Sequence, residues 1–129
     1  MAAAESYPDD LKYHREHDWA RVDGDEAVLG VTWFAGDALG ELVHFEPPEP
    51  GATVTKDEPY GEVESVKAVS DVIAPMSGEI VEVNTALSDK PEAINEDPYG
   101  EGWLARVKLS DPSEKDGLLD AATYTKSLA

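Results

Sequence analysis

Apolar and polar positions alternate along this chain in short stretches, and loops rich in Gly, Pro, Asp and Asn separate those stretches. Such alternation, with Val, Ile and Thr at many apolar positions, is typical of half-buried β-strands. Asp23 and Gly24, between two of these stretches, are a strong hairpin signal. The pattern predicts strands over residues 19–22, 26–29, 42–45, 62–65, 70–73, 79–83 and 103–109.

The helical patterns are short and lie between the strands. Thr32 is a suitable N-cap and Gly40 a suitable left-handed residue after a helix, so a helix is predicted between them. Trp33 and Phe34 within that helix are expected to belong to the core. Further helical turns are predicted at Pro91, at a capping box formed by Asp111 and Glu114, and over residues 121–128.

The length of the chain limits its organisation. A chain of 129 residues suits one domain with a modest core. The polar start of the chain predicts a flexible segment over residues 1–10. Residues 11–129 are then expected to form a single domain that is mainly β, with short helices and a C-terminal helical tail.

One predicted hairpin carries a lysine at its tip. Residues 62–65 and 70–73 are joined by a minimal connection that contains Lys67, whose side chain should therefore project into water. A lysine that forms Schiff bases needs a desolvated or cation-flanked site. Here Glu62, Glu64 and Asp71 surround the lysine with carboxylates. Lys67 is therefore interpreted as a group presented to a partner.

Two glycines frame this hairpin and point to a known family. Gly51 lies 16 residues before Lys67 and Gly78 lies 11 after it, and both are expected to supply positive φ in a turn. This arrangement resembles the biotinyl/lipoyl carrier fold, which carries a modified lysine on an exposed hairpin. The segment over residues 64–71 is similar to the lipoyl site of the glycine cleavage system H proteins; it has the sequence Glu64-Ser-Val-Lys67-Ala-Val-Ser-Asp71.

The resemblance extends over about residues 11–128. Segments similar to H proteins occur in the family's order at residues 17–19, 30–32, 39–41, 64–67, 95–103 and 118–121. The family implies a mainly β fold, a flattened half-barrel or hammerhead sandwich with a C-terminal helix. A lipoyl domain from a 2-oxoacid dehydrogenase would be shorter and joined to a larger chain.

The resemblance implies a carrier without catalytic turnover of its own. Lipoate in amide linkage to Lys67 would carry the aminomethyl intermediate of glycine decarboxylation from the P protein, glycine decarboxylase, to the T protein, an aminomethyltransferase. The L protein, dihydrolipoyl dehydrogenase, would reoxidise the arm. A lipoate ligase or lipoyltransferase would load it.

The family also implies roles for individual residues. Lys67 is the attachment site, and Glu64 and Ser65 are expected to be recognised during lipoylation. Asp18 stands where the family commonly has glutamate near the docked arm, and Asp71 is expected to face the loaded amine.

The short predicted helix departs from the family pattern. The family often has Thr-Asp-Tyr/His-Ala-Gln there, whereas this chain has Thr32-Trp-Phe-Ala-Gly36. Trp33 and Phe34 would make a cleft lined by this helix more apolar. The departures bear on how the arm docks and leave its attachment unaffected.

Charge and composition exclude several classes of function. The net charge of −18, from 28 acidic and 10 basic residues, disfavours nucleic acid and membrane surfaces as partners. The same charge would attract basic patches on partner proteins, and simple solubility explains it about equally well; a salt-rich habitat would also produce it. No secretory or transit segment is recognisable, so the expected location is the cytoplasm, or the mitochondrial matrix for a mature eukaryotic chain.

Other chemistries find little support in the sequence. The chain has no cysteine, so any dithiol must come from a prosthetic group. His14 and His17 alone are weak signals for a metal, and no phosphate-cradling glycine loop is present. Biotin carriers usually place methionine on both sides of the lysine, where Val66 and Ala68 stand here. An H-like protein that mainly donates lipoyl groups to other proteins is the alternative.

Overall fold

The computed structural model describes residues 3–128 and contains two β-sheets within that range. Its nine strands and three short α-helices confirm the mainly β prediction. The strands are β1 (Lys12–His14), β2 (Asp18–Asp23), β3 (Glu26–Val31), β4 (Leu42–Glu46), β5 (Thr53–Val54), β6 (Pro59–Ser65), β7 (Val69–Ile73), β8 (Gly78–Val83) and β9 (Ala105–Leu109). The helices are α1 (Trp33–Leu39), α2 (Ala93–Glu96) and α3 (Ala121–Ser127).

The larger sheet has six strands in the order β1-β2-β3-β9-β8-β5, and every pairing is antiparallel. The hairpin predicted at Asp23 and Gly24 joins β2 to β3, and Gly24 has a φ of 64°. Gly30 pairs with Trp19, and a Cβ at Gly30 would overlap the indole ring of Trp19. The missing side chain at Gly30 is therefore what lets the indole lie flat against β3.

The smaller sheet has three strands in the order β4-β6-β7, with β6 in the centre. Its inner face contributes Phe45, Val63 and Val72 to the core, each at most 5% exposed. The two sheets form an open sandwich around this core, as the resemblance implied. The main core residues are Ala20, Leu29, Val31, Leu42, Met76, Ile80, Leu87, Ile94, Leu104 and Val107.

The two glycines that frame the lysine hairpin have different reasons to be glycine. Gly51 has a φ of 89°, as predicted. Gly78 is absent from the residues with positive φ, so that part of the prediction is wrong. A Cβ at Gly78 would instead collide with the backbone carbonyl of Lys108 on β9. Close approach of two strands, and not a left-handed turn, requires glycine at this position.

The helix ends follow the predicted capping chemistry with one exception. The Thr32 hydroxyl accepts a hydrogen bond from the Ala35 amide (3.3 Å), and Gly40 follows α1 with a φ of 88°. Asp111 caps a 3-10 turn, but Glu114 does not complete a capping box. Its carboxylate accepts hydrogen bonds from the amide (2.7 Å) and hydroxyl (3.0 Å) of Ser77. Glu114 therefore fixes the turn before β8.

A second, smaller core lies where α3 packs against β1. The rings of Tyr13 and Tyr124 stack with centroids 4.8 Å apart, and both residues are fully buried. Leu11, Trp19 and Ala121 are the other buried members of this cluster. The C-terminal helix is thus an integral part of the domain.

The N-terminal segment over residues 3–8 lies against the domain in this structure. The Tyr99 hydroxyl donates to the Ser6 carbonyl (2.6 Å), and the Tyr13 hydroxyl donates to the Pro8 carbonyl (2.7 Å). The Trp33 indole N–H donates to the Ala3 carbonyl (2.6 Å). These contacts hold residues 3–8 in one conformation. The predicted flexibility of residues 1–10 concerns motion and stays a prediction.

Candidate functional site: a lysine at a hairpin tip

The turn between β6 and β7 is organised by a serine side chain. The Ser65 amide donates to the Ala68 carbonyl (2.8 Å), which closes the turn. The Ser65 hydroxyl oxygen accepts from the amides of Lys67 (3.3 Å) and Ala68 (3.2 Å). Ser65 is only 4% exposed. Its side chain is therefore committed to the turn, and the expected role in recognition would act through the shape of that turn.

The structure places Lys67 at the exposed tip of this hairpin. The preceding Val66 is 90% exposed, so nothing covers the turn from that side. The lysine side chain extends over Gly40, and Cε and Nζ lie 3.5 Å and 4.0 Å from where a Cβ at Gly40 would stand. No ion pair involves Lys67 within residues 3–128. The amine is thus available to another molecule.

The acidic residues near the lysine separate into two groups. Glu64 and Asp71 are both exposed and point to the outer face of the three-stranded sheet. Asp18, in contrast, is only 2% exposed and lies beneath β7, where its carboxylate accepts from the Ile73 amide (3.3 Å). Glu64 and Asp71 therefore share the surface with Lys67, and Asp18 does not.

Burial gives Asp18 unusual electrostatics. Desolvation raises the pKa of its carboxyl well above the usual range, and the hydrogen bond from the Ile73 amide opposes this only in part. The hydroxyl of Tyr60 is also buried and has no hydrogen-bond partner among the described residues. Asp18 raises the pKa of Tyr60 further, after burial itself. A buried carboxyl and a buried phenol thus lie under the hairpin sheet.

A small cavity opens beside the lysine, between α1 and α2. Its volume is about 130 Å³, and Trp33, Gly36, Gly40, Ile94 and Asn95 contribute to its walls. Because the Lys67 side chain rests on Gly40, the cavity begins where that side chain lies. The volume is well below the roughly 300–1,000 Å³ of ordinary small-molecule sites, so only a narrow group fits.

Asn95 fixes the geometry of this cavity. Its side-chain N–H groups donate to the carbonyls of Gly36 (3.3 Å) and Gly40 (3.0 Å), and its side-chain oxygen accepts from the Leu42 amide (2.8 Å). Asn95 is not among the site residues predicted from the sequence. Local patterns carry no signal for these bonds, because the partners lie more than 50 residues away in the chain.

The aromatic residues of α1 are not in the core, contrary to expectation. Trp33 and Phe34 are each partly exposed. Trp33 lines the cavity, and Phe34 packs against the ring of His17 with centroids 4.5 Å apart. The helix is too short and too close to the surface to bury both rings.

His14 and His17 each take part in an internal hydrogen bond. His14 Nε2 lies 2.6 Å from the Asp57 carboxylate, and His14 holds the pKa of Asp57 below its usual range. His17 Nδ1 lies 2.8 Å from the Tyr124 hydroxyl, and burial lowers the pKa of His17. Within residues 3–128, no group of three or more His, Asp or Glu side chains is placed to hold a metal ion.

The fold and the site together define a small β-sandwich that presents one lysine on an exposed hairpin. The family model of the glycine cleavage H-protein matches residues 11–129, and the chain belongs to that family. It is 56% identical over 117 residues to the glycine cleavage system H protein of Symbiobacterium thermophilum, with 91% of each chain covered. It is 50% identical over 125 residues to that of Myxococcus xanthus, with 97% of each covered.

A solved structure agrees with this assignment. The chain is similar to the crystal structure of a glycine cleavage system H protein from Mycobacterium marinum, with a TM-score of 0.86 and 46% identity. The similarity covers 94% of this chain and 98% of the other.

None of the helices in residues 3–128 is long and apolar enough to span a membrane.

Proposed function

We propose that the chain is a non-catalytic carrier that bears lipoate on Lys67 and shuttles the aminomethyl group of glycine from a P protein to a T protein. An L protein returns the arm to its oxidised form, and a lipoate ligase or lipoyltransferase attaches it. The observation that carries the proposal is the exposed Lys67, without an ion pair among residues 3–128, at the tip of a turn whose backbone is held by Ser65.

The residues around Lys67 fit a long, narrow prosthetic group. A lipoyl group bound to Nζ would supply the dithiol that this cysteine-free chain lacks. Lys67 would hold it by an amide bond, in a position open to solvent and to partners. The cavity along Gly40 would offer a resting place beside the attachment point, with Trp33 and Ile94 as apolar walls and with four acidic residues also in its lining, Asp37, Glu41, Glu92 and Glu96.

The protein then contributes tethering and presentation. Attachment to a rigid hairpin raises the effective concentration of the carried group at each enzyme in turn. Asp71 is exposed on the outer face, and its proposed role is to meet a cationic amine on the arm. Asp18 would act on the arm only if the structure opened beneath β7, since its carboxyl is buried.

Transfer assays with purified P and T proteins test the proposal. The lipoylated chain should accept the aminomethyl group from P protein in the presence of glycine and deliver it to T protein with tetrahydrofolate. The Lys67→Arg variant should fold normally and fail in both reactions, because the side chain at the tip is outside the core. Activity of that variant would refute the carrier role of Lys67.

The same assays separate the alternative. A protein that mainly donates lipoyl groups to other proteins would take lipoate and yet fail to accept the aminomethyl group. The departures at Trp33, Phe34 and Gly36 from the family pattern are the observation behind this alternative.

A further inference from the structure

The outer face of the three-stranded sheet is uncovered and carries an ordered set of side chains. In the register of β4, β6 and β7, Glu46 stands opposite Glu62, which stands opposite Asp71. The next row towards the turn consists of His44, Glu64 and Val69. Each of these six residues is exposed, and no other element of residues 3–128 packs over them.

The first row is unfavourable for the folded domain taken alone. Like charges directly opposite one another on neighbouring strands destabilise a sheet, and here three carboxylates follow one another across three strands. No salt bridge within residues 3–128 neutralises Glu62 or Asp71. Glu46 meets only His44, at 3.2 Å and with both side chains largely exposed. Binding of an external cationic surface would remove this repulsion.

Exposed apolar side chains border the same face at its lysine end. Val43 is 46% exposed, Val66 90% and Val69 59%, and they belong to β4, the turn and β7 of this one sheet. The remaining large exposed apolar residue among those described, Val81, lies on the other sheet. Apolar side chains next to a polar or charged rim are typical of protein interaction sites.

We propose that this outer face, defined by Val43, Glu46, Glu62, Val69 and Asp71, docks the enzyme that attaches the lipoyl group to Lys67. The proposal rests on the proposed carrier function. A surface that fits this face would present an apolar recess to the valines and a rim of Lys and Arg to the carboxylates. Charge complementarity selects such a partner, since opposite charges steer encounter and like charges exclude wrong partners.

The geometry explains why the enzyme would use this face. Val66 and Val69 lie next to Lys67 in the chain, at the lysine end of this face. An enzyme seated on the outer face would therefore lie beside the turn from which Lys67 projects. The enzyme would then contact the three strands β4, β6 and β7 in addition to the turn itself. Glu64, in the middle of the second row, connects the turn to this face.

A charge-matched pair of variants tests the proposal. The face variant combines Glu46→Gln, Glu62→Gln and Asp71→Asn. The control combines Asp23→Asn, Asp25→Asn and Asp116→Asn, three exposed carboxylates away from the three-stranded sheet. Both variants change the net charge equally. Each is assayed with limiting lipoate ligase and lipoate, with intact mass as the readout and thermal unfolding as the check on folding.

The face variant is expected to lose about tenfold in kcat/KM for lipoylation and most of its dependence on salt, as steered association does when its charges are removed. The control should stay within about twofold of the unchanged chain, by the same reasoning. Val69→Thr, which keeps the shape and removes a methyl group, should raise KM, whereas Val81→Thr should not.

Each other outcome has a definite meaning. If the unchanged chain is not lipoylated on Lys67, the carrier function itself fails. If it is lipoylated and the face variant behaves like the control, the docking proposal is overturned and the carrier function stands. If lipoylation is unaffected, the proposed occupant is wrong, even where transfer to the P or T protein slows, because Asp71 has a proposed part of its own in that transfer.

Discussion

Replacing Asp18 with asparagine should change how the stability of the domain depends on pH. Asp18 is 2% exposed, and burial raises the pKa of its carboxyl well above the usual range. The folded state therefore keeps a proton on Asp18 at pH values where the unfolded chain, with a pKa near about 3.9, has lost it. The stability that the neutral carboxyl contributes to the folded state is fully present below the pKa of the unfolded chain. It is lost as the pH rises towards the folded-state pKa.

The size of the effect follows from proton linkage. Where the folded state binds one more proton than the unfolded state, the free energy of unfolding falls by about 1.4 kcal/mol for each unit by which the pH rises. The asparagine side chain of the variant does not titrate, and its oxygen can still accept the hydrogen bond from the Ile73 amide. The stability of Asp18→Asn relative to the unchanged chain should therefore increase by about 1.4 kcal/mol per pH unit above about pH 4, up to the folded-state pKa.

Urea unfolding at several pH values from about 4.5 upwards measures this difference. The slope is the test, because the new amide N–H groups add a cost that does not vary with pH. Asp116→Asn, at an exposed position away from the three-stranded sheet, is the matched control for the change from carboxylate to amide. A difference between Asp18→Asn and the unchanged chain that is constant with pH would refute the assignment of a buried, protonated carboxyl.

Three further substitutions test the local geometry. Ser65→Ala removes the acceptor of two turn amides and should cost about 1 kcal/mol, with faster hydrogen exchange at the Lys67 amide by NMR; unchanged exchange there would contradict the turn model. Gly78→Ala should destabilise by about 2–3 kcal/mol in urea unfolding, because its Cβ meets the Lys108 carbonyl; a neutral effect would mean that the strands can separate. Trp33→Phe removes the hydrogen bond to the Ala3 carbonyl, and deuterium uptake over residues 3–8 should rise, with a stability loss of at most about 1 kcal/mol; equal uptake would show that the bond does not hold this segment.

The hairpin and its neighbours were predictable because their signals are local. The turn at Gly24, the cap at Thr32 and the glycine after α1 each depend on residues within a few positions of one another. The exposed position of Lys67 followed from the same local logic, since a tight connection between two strands has little room to bury a side chain. These features were confirmed.

The features that sequence reasoning missed depend on distant contacts. Asp18 is buried because β7, about 55 residues later, packs over it. Glu114 bonds Ser77 across 37 positions in place of its own capping box. Gly78 and the cavity wall at Asn95 likewise depend on strands and helices that pack together only in the folded domain. Periodicity and motif spacing carry no information about such pairings.

The most direct test of the account is the intact mass of the chain after co-expression with a lipoate ligase and lipoate, with peptide mapping of the β6–β7 hairpin. We expect a gain of one lipoyl amide, located on Lys67, and no gain for Lys67→Arg. A folded chain that stays unmodified while a control carrier is labelled in the same cells would contradict the carrier function. Modification of a lysine other than Lys67 would contradict the site.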